Sequence, residues 1–259
     1  MLILVATPIG NLKDITLRAL ETLKQADYIL AEDTRTSKKL LNHYEIKTRL
    51  VSFHKFNEQK RHATIIDDLQ SGLNIALISD AGHPGICDPG SDLVSTCLEK
   101  NITITINSGA SALTSAISLS GYKGNIQFVG FLPKKKKENI LKNAEEYNGA
   151  TIFYESGSRI LNTLEKLNPN TQIMIFRELS KKFETLIKGS CNDVLSEIKK
   201  CVKGEFVLMI FGQEKHETTL AEEIFEDLRP LMSTKDAARL AAKFTKSNKK
   251  KLYELLKND

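Results

Sequence analysis

The residues best suited to chemistry lie in a loop between Asp80 and Asp92, directly after a short apolar run. The loop holds three glycines, two prolines and three aspartates, so its backbone is conformationally specified and its carboxylates can meet a polar ligand. Connections from a strand to a helix usually need only about 2–6 residues. The greater length here predicts a ligand-binding loop, and a purely structural loop is the alternative.

Two other loops share this small-residue character. Residues 7–11 (TPIGN) follow the apolar run 2–6, and residues 107–112 (NSGASA) follow the run 102–106. Neither contains the GK[ST] of a Walker loop or a GxGxxG fingerprint. Small residues at 109–112 would let a helix N-terminus approach a carboxylate or phosphate. A close contact between a helix and a sheet would require the same small residues.

Charged residues also stand at the ends of predicted strands. Residues 32–35 (EDTR) follow the predicted strand 28–31, although Asp33 or Thr34 capping the next helix would explain much of this pattern. Two further groups in the second half of the chain are either functional residues or surface ion pairs. They are Glu155 with Arg159, and Arg177 with Glu178 and Lys181.

The predicted order of elements explains why these loops should converge. Residues 75–78 form a continuous apolar run, which is typical of a strand buried on both faces of a parallel sheet. Strands and helices alternate from residue 1 to about 120, which predicts an α/β fold with a doubly wound parallel sheet. Such sheets bind ligands at the carboxyl ends of their strands. Ser91 is predicted to cap the helix after the long loop.

From Gly121 onward, predicted strands follow one another with fewer helices between them. This change predicts a mixed-sheet α/β domain over residues 121–215, after an N-terminal domain over residues 1–120. Strands are expected near 126–130, 151–154, 171–176 and 203–210. Ligand sites favour domain interfaces such as the one predicted here.

Residues 220–259 are predicted to form a small, basic helical appendage. Ser233 or Thr234 can cap one helix, and a second is expected around residues 252–256. From Lys235 to the end, eight Lys or Arg residues stand against three Asp or Glu residues and leave a charge of +5. A basic helix pair predicts contact with RNA or DNA, and a solvated appendage is the alternative.

Composition narrows the class of protein. The chain has 259 residues, 41% of them hydrophobic, and a net charge of +5 that fits an anionic partner but also many ordinary proteins. It has no apolar run of 18 residues and no basic region before its apolar start, so we expect neither a membrane span nor a signal peptide. The four cysteines form no CxxC pair, which predicts no metal site and reduced thiols in the cytoplasm.

A series of short motifs then resembles one known family. VATPIGNLKDITLRAL, AEDTR, SDAG-P---DPG, FVGFLP, FYES--R, REL-K and KGEFVL occur in this order over essentially the whole chain. The series resembles the bacterial small-subunit (16S) ribosomal RNA cytidine-2′-O-methyltransferase family of the tetrapyrrole methylase superfamily. One segment departs from the pattern: residues 107–110 (NSGA) stand where relatives usually carry a Pro-Gly-Pro-type sequence. The glycine is kept without the flanking prolines, so we expect a different rigidity in this loop.

The resemblance implies a cytoplasmic, homodimeric, S-adenosylmethionine-dependent enzyme that methylates a cytidine ribose of ribosomal RNA in the small ribosomal subunit. By position and resemblance, the cofactor residues are Pro8, Gly10, Asp80, Ala81, Gly82, Pro84, Ser111, Ala112, Tyr154 and Gly204. Either Glu155 or Glu178 is the candidate general base. The predicted RNA contacts are Lys134, Lys135, Lys136, Lys137, Arg159, Arg177, Lys181, Lys249, Lys250 and Lys251.

Two other functions stay open at the level of sequence. The first is a methylase of small molecules such as tetrapyrroles, for which the C-terminal appendage would have no role in substrate binding. The second is a non-catalytic RNA-binding protein whose altered loop 107–110 no longer holds the cofactor.

Overall fold

The computed structural model of this chain describes residues 1–212 and 224–245. Its first half forms a five-stranded sheet. The strands are β1 Leu2–Val5, β2 Tyr28–Ala31, β3 Leu50–Ser52, β4 Ile75–Ile78 and β5 Ile104–Asn107. They lie in the order β3-β2-β4-β1-β5 and every neighbouring pair is parallel. The predicted parallel sheet is therefore confirmed, with all carboxyl ends at one edge.

Strand β4 shows why its sequence is continuously apolar. Ile75 and Leu77 belong to the hydrophobic cluster on one face of the sheet, and Ala76 and Ile78 belong to the cluster on the other face. Successive side chains of a strand point to opposite faces. Because helices cover both faces, a polar residue anywhere in this strand would be buried.

Four helices cover this sheet: α1 Leu17–Gln25, α2 Thr34–His43, α3 Glu58–Gln70 and α4 Ser91–Glu99. The Asp33 side chain accepts a hydrogen bond from the Arg35 amide at 2.8 Å and caps α2, which confirms the capping interpretation of that segment. The prediction that Ser91 caps α4 was wrong. Gly90 occupies the cap position with φ of +124°, and a Cβ there would lie 2.6 Å from Leu77 Cδ2. Ser91 is the first helical residue instead.

The second half of the chain forms a five-stranded mixed sheet, as predicted. Its strands are β6 Ile126–Phe131, β7 Ala150–Ser156, β8 Gln172–Arg177, β9 Thr185–Ser190 and β10 Glu205–Phe211. They lie in the order β6-β7-β10-β8-β9, where β6 and β7 are parallel and the other neighbours are antiparallel. This arrangement leaves the carboxyl end of β7 beside the start of β10.

Four helices pack on the second sheet: α5 Ala112–Ser120, α6 Glu138–Glu146, α7 Gly157–Leu164 and α8 Cys191–Ile198. Helices α6, α7 and α8 share one hydrophobic cluster, whereas Ala116 of α5 packs in the cluster on the opposite face. Helix α7 was not predicted, because the sequence before its apolar residues reads as a loop. Helix α5 lies against the second sheet although it precedes residue 121, and the domain bounds 1–120, 121–215 and 220–259 stay predictions.

The described C-terminal part is helical at residues 224–228 and in α9 Thr234–Thr245. The Ser233 hydroxyl accepts a hydrogen bond from the Asp236 amide at 3.2 Å, which agrees with the predicted cap. Ala237, Ala238 and Ala241 of α9 form a small core with Phe225. The second predicted helix and Lys249–Lys251 lie outside the described residues. No helix within the described ranges is long and apolar enough to cross a membrane.

Candidate active site between the two sheets

Two of the predicted loops are hydrogen-bonded to each other at the carboxyl edge of the first sheet. Thr7 and Gly82 exchange backbone hydrogen bonds of 2.8 and 3.0 Å. The Thr7 hydroxyl also donates to the Ser79 carbonyl at 3.1 Å. Gly82 has φ of +77°, a conformation that side-chain-bearing residues adopt only at a cost. This bridge fixes the path of the chain as it leaves β4.

A cavity of about 390 Å³ lies between this edge and the second sheet, and its volume is within the range of small-molecule sites. The first sheet and the segments that follow its strands contribute Ile9, Glu32, Asp80, Ala81, Gly82, His83, Ile86, Asp88, Ser111 and Ala112. The second sheet and its connections contribute Phe131, Tyr154, Glu155, Ser156, Phe176, Leu179, Glu205, Phe206 and Val207. Residues of both sheets therefore enclose one site, with most of its carboxyl groups on one wall and most of its large apolar groups on the other.

Three carboxyl groups share the first-sheet wall of the cavity. Burial raises the pKa of Glu32, and repulsion from Asp80 adds to this rise. Burial also raises the pKa of Asp80. The strongest effect is at Asp88, where burial, then repulsion from Glu32 and Asp80, raises the pKa to about 7. The cluster therefore favours a positively charged ligand, which would stabilise the ionised carboxylates.

Tyr154 of β7 connects the second-sheet wall to the beginning of α5. Its hydroxyl interacts with the Ser111 side chain and the Leu113 backbone amide, and burial raises its pKa, so it stays neutral. The Tyr154 ring meets the rings of Phe128 and Phe131 edge-on, with centroids 4.9 and 5.4 Å apart. Aromatic packing thus holds this side chain at the cavity wall.

Both oxygens of the Glu155 carboxylate have partners within the protein. It accepts hydrogen bonds from the Ser156 amide at 2.9 Å and the Thr163 hydroxyl at 2.8 Å, and it pairs with Arg159 at 2.5 Å. Lys137 donates to the same Thr163 hydroxyl at 2.7 Å and is only 3% exposed. Burial lowers the pKa of Lys137, and the nearby Glu155 opposes this. The Glu155 side chain is 0% exposed, so its carboxylate faces α7 rather than the open cavity.

One oxygen of the Glu178 carboxylate also accepts hydrogen bonds from the protein. Oε1 accepts from Lys181 Nζ and from the Glu205 backbone amide, each at 2.9 Å. Burial raises the pKa of Glu178, but the hydrogen bonds from Glu205 and Lys181 outweigh it, so the pKa is lowered. A Cβ at Gly204 would lie 2.7 Å from Oε1 of Glu178. Gly204 therefore provides the space in which this carboxylate is held.

The turn formed by residues 178–181 also contacts the first half of the chain. The Ser180 hydroxyl donates to the Asp14 carboxylate, and a Cβ on Gly10 would overlap Cγ of Lys181. Glu178 and Ser180 have φ of +53° and +65°, although neither is glycine. Gly10 is thus required for close contact between the two halves of the chain at this turn.

The structure brings together most of the predicted cofactor residues. Those that line the cavity are Asp80, Ala81, Gly82, Ser111, Ala112 and Tyr154, and those that do not are Pro8, Gly10, Pro84 and Gly204. In the loop that departs from the family pattern, a Cβ on Gly109 would lie 3.1 Å from the Ala6 Cβ. That glycine is needed for close packing of the loop on the end of β1, which is the structural alternative given for these small residues.

The predicted RNA-contacting residues divide into exposed and engaged groups. The lysines at 134–136 are exposed, whereas Lys137 is buried. Arg159 donates to the Leu132 carbonyl at 3.0 Å in addition to its pairing with Glu155. Arg177 donates to two backbone carbonyls at 2.7 and 3.2 Å. Lys181 pairs with two carboxylates.

Several cavity residues were missed by sequence reasoning. Asp88 lies inside the long loop but was not distinguished from its neighbours, and Glu32 was assigned to the segment explained by capping. Ile9, Phe176 and Leu179 line the cavity as apolar residues. A signal existed for Asp88 and Glu32, since both follow buried strands at the carboxyl edge of the sheet. No local pattern distinguishes the apolar lining from the core.

Comparisons with known proteins agree with this architecture. Residues 1–195 match the family model of the tetrapyrrole (corrin/porphyrin) methylases. The chain is 43% identical to a ribosomal RNA small subunit methyltransferase I from Halalkalibacterium halodurans over 239 residues, 89% of this chain and 82% of the relative. A protein of that name from Thermotoga maritima is 42% identical over 82% of this chain and 99% of its own length. A crystal structure of diphthine synthase shares the fold, with a TM-score of 0.64 at 16% identity over 82% of this chain and 89% of that one.

Proposed function

Because this chain belongs to the ribosomal RNA small subunit methyltransferase I family of tetrapyrrole methylases, we propose that it methylates a cytidine 2′-hydroxyl in small-subunit ribosomal RNA, with S-adenosylmethionine as the methyl donor. The observation that carries the proposal is a cavity lined by both sheets, with most of its carboxyl groups on one wall and most of its large apolar groups on the other. This combination suits a cationic donor with an aromatic base.

The residues present fit S-adenosylmethionine. Ile9, Phe176 and Leu179 offer an apolar slot for adenine, and the carboxyl groups of the first-sheet wall can accept from the ammonium group and ribose hydroxyls. The first backbone N–H groups of α5, next to Ala112, can receive a carboxylate, because a helix N-terminus favours negative charge. Ser111 makes no side-chain cap to these groups. When bound, the cofactor supplies a methyl group activated by its sulfonium.

We propose Asp88 as the group that removes the proton of the ribose hydroxyl. It lines the cavity, and its pKa of about 7 matches the working range of a general base. The carboxylates of Glu155 and Glu178, the two candidates from sequence, already accept hydrogen bonds from neighbouring protein groups. We propose that these two glutamates position β7 and the turn 178–181 around the site.

For the RNA we propose contacts on the exposed lysines 134–136 and on the basic C-terminal segment that includes Lys249–Lys251. Arg159, Arg177 and Lys181 are assigned to the framework of the cleft, because each donates to protein groups. About a fifth of this chain has no counterpart in the Thermotoga maritima relative, which matches 82% of it. This difference supports an accessory role for the part of this chain that the relative lacks. It also supports the assignment of methyl transfer to the cleft, which lies in the shared part. A homodimer working on assembled subunits in the cytoplasm completes the proposal.

The test is transfer of a radiolabelled methyl group to purified small ribosomal subunits that lack the modification. Digestion to nucleosides should place the label in 2′-O-methylcytidine. The rate should be higher on assembled ribosomal subunits than on protein-free RNA. The basic contacts on the two protomers of the dimer gain effective concentration only when both can bind the same particle. Label in a base would refute the proposed position, and no transfer to subunits or RNA would refute the substrate.

A further inference from the structure

A second groove, of about 430 Å³, lies on the outer edge of the first sheet. It runs along α3 and the edge strand β3, and its cationic side chains are Arg49, Lys60 and Arg61. Asn57 and Thr64 add polar groups to the same groove. Residues 60, 61, 64 and 68 lie on one face of α3, since neighbours on a helix surface are three or four residues apart. The lining of the groove therefore extends along about 12 Å of helix (eight residues at 1.5 Å), with Lys60 and Arg61 toward the start of α3 and Asp68 at the other end.

The three cations of this groove have no acidic partner among the described residues. None of the ion pairs within the ranges 1–212 and 224–245 includes Arg49, Lys60 or Arg61. The carboxylate in the groove, Asp68, accepts a hydrogen bond from the Tyr28 hydroxyl at 2.8 Å. Three positive charges face one negative charge here, so the groove attracts an anion.

An exposed aromatic side chain directly precedes Asn57, the groove residue at the start of α3. Phe56 belongs to the loop between β3 and α3 and is 86% exposed. The Lys55 ammonium lies 4.9 Å from the centre of its ring, and the Phe56 amide donates to His54 Nδ1 at 3.2 Å. The His54 ring also meets the Phe56 ring edge-on, with centroids 6.0 Å apart, and most of the Phe56 side chain still faces solvent. Exposed aromatic rings beside cations are the elements with which proteins hold unpaired nucleotides.

This loop also adjoins the candidate active site. The charges of Lys55 and His54 act on Glu32, which lines the cavity. At the start of α3, the Glu58 carboxylate accepts a hydrogen bond from the Gly90 amide at 3.2 Å, and Gly90 ends the long loop that carries Asp88. Residues 54–58 therefore connect the surroundings of Glu32 with the start of α3, where Asn57 and Lys60 line the groove.

We propose that the edge of β3 and α3 is a binding site for the RNA strand next to the methylated nucleotide, with a base stacked on Phe56 and phosphates bound by Arg49, Lys60 and Arg61. The inference rests on the proposed function, since it assigns part of the same substrate. It adds an RNA surface on the first domain that is separate from the lysines at 134–136 and from the C-terminal segment.

Two variants test the two parts of this site. Arg49→Gln/Lys60→Gln/Arg61→Gln should reduce the slope of log affinity against log salt for isolated small-subunit ribosomal RNA by roughly 2–3, because each phosphate contact contributes about 0.7–0.9. Phe56→Ala should weaken RNA binding roughly 5- to 150-fold, the range for loss of one stacked base. Phe56→Tyr should restore the affinity. The exposed lysines of Lys188→Gln/Lys199→Gln/Lys200→Gln provide a control with the same charge change on the second domain.

Calorimetry with S-adenosylmethionine on every variant separates the groove from the cofactor site. Unchanged cofactor affinity, together with a loss of RNA affinity greater than that of the control triple variant, supports the site. A salt slope for the groove variant equal to that of the control, with Phe56→Ala binding as the wild type does, overturns it. A wild-type protein that transfers no methyl group to RNA or to subunits overturns the proposed function, an outcome that the variants alone cannot produce.

Discussion

Replacing Glu155 by alanine should destabilise the protein strongly, because the side chain is an acceptor at the centre of a buried network. Three donors lose their acceptor at once: the Ser156 amide, the Thr163 hydroxyl and the Arg159 guanidinium. Lys137, which reaches the network through Thr163, stays buried and loses the stronger of the two negative charges that act on it, leaving that of Glu138.

The magnitude follows from the burial of the pair. Removing one partner of a buried ion pair costs about 3–5 kcal/mol, and a typical domain is stable by only about 5–15 kcal/mol. The Glu155 side chain is 0% exposed and that of Arg159 is 23% exposed, so solvent screening is small on the acidic side. We therefore expect Glu155→Ala to lower the free energy of unfolding by about 3–5 kcal/mol. Adding Lys137→Met should recover about 0.5–3 kcal/mol of that loss, since the two charges are coupled.

Urea unfolding followed by circular dichroism measures these differences. Glu138→Gln is the matched control: it breaks the exposed pair between Glu138 and Lys166 and should cost less than about 1 kcal/mol. The decisive variant is Glu155→Gln, which keeps the shape of the side chain. Wild-type stability and cofactor affinity with a hundredfold slower methyl transfer would show that Glu155 acts on the proton after all, and the structural argument would be wrong.

Four further predictions concern the cavity. Gly82→Val should abolish binding of S-adenosylmethionine in calorimetry while the circular dichroism spectrum is retained, because φ of +77° is strained for a β-branched residue; unchanged affinity would contradict the placement. Asp88→Asn should slow transfer by roughly 10²–10⁴-fold in single-turnover assays. The pKa of Asp88 is raised from 3.8 to about 7, so between these pH values the folded protein keeps a proton that the unfolded chain has lost. The free energy of unfolding of the wild type should therefore fall, relative to that of Asp88→Asn, as the pH rises from about 4 to 7. Cofactor binding should release protons near pH 7, measured by calorimetry in buffers of different ionisation enthalpy, and no release would place the positive charges of the cofactor away from these carboxyls.

The sequence was sufficient for the parallel sheet because each of its signals is local. The apolar run of β4 is continuous since both of its faces are covered, and the loop after it is long because it lines a cavity. The bounds of α3 at Glu58 and Gln70 likewise follow from helical periodicity and its flanking loops. Helix α7 was missed because Gly157 and Ser158 read as a turn, and its apolar residues are defined only by the sheet on which they pack.

The roles of the charged residues could not be derived in the same way. A charged residue at a strand end indicates the edge of the sheet where a site lies. Whether its side chain is free to contact a ligand depends on hydrogen-bonding partners that other elements bring to it. Lys137 belongs to a run of four lysines and is still buried, because Thr163, 26 residues later, accepts its hydrogen bond. The Glu155 carboxylate is likewise occupied by Thr163 of α7. Asp88 instead shares its wall of the cavity with Glu32 and Asp80, and burial together with their charges raises its pKa. The carboxyl groups of the first sheet can thus bind a cation and accept a proton. Glu155 and Glu178 of the second half cannot do so as readily, because their carboxylates already accept hydrogen bonds from the protein.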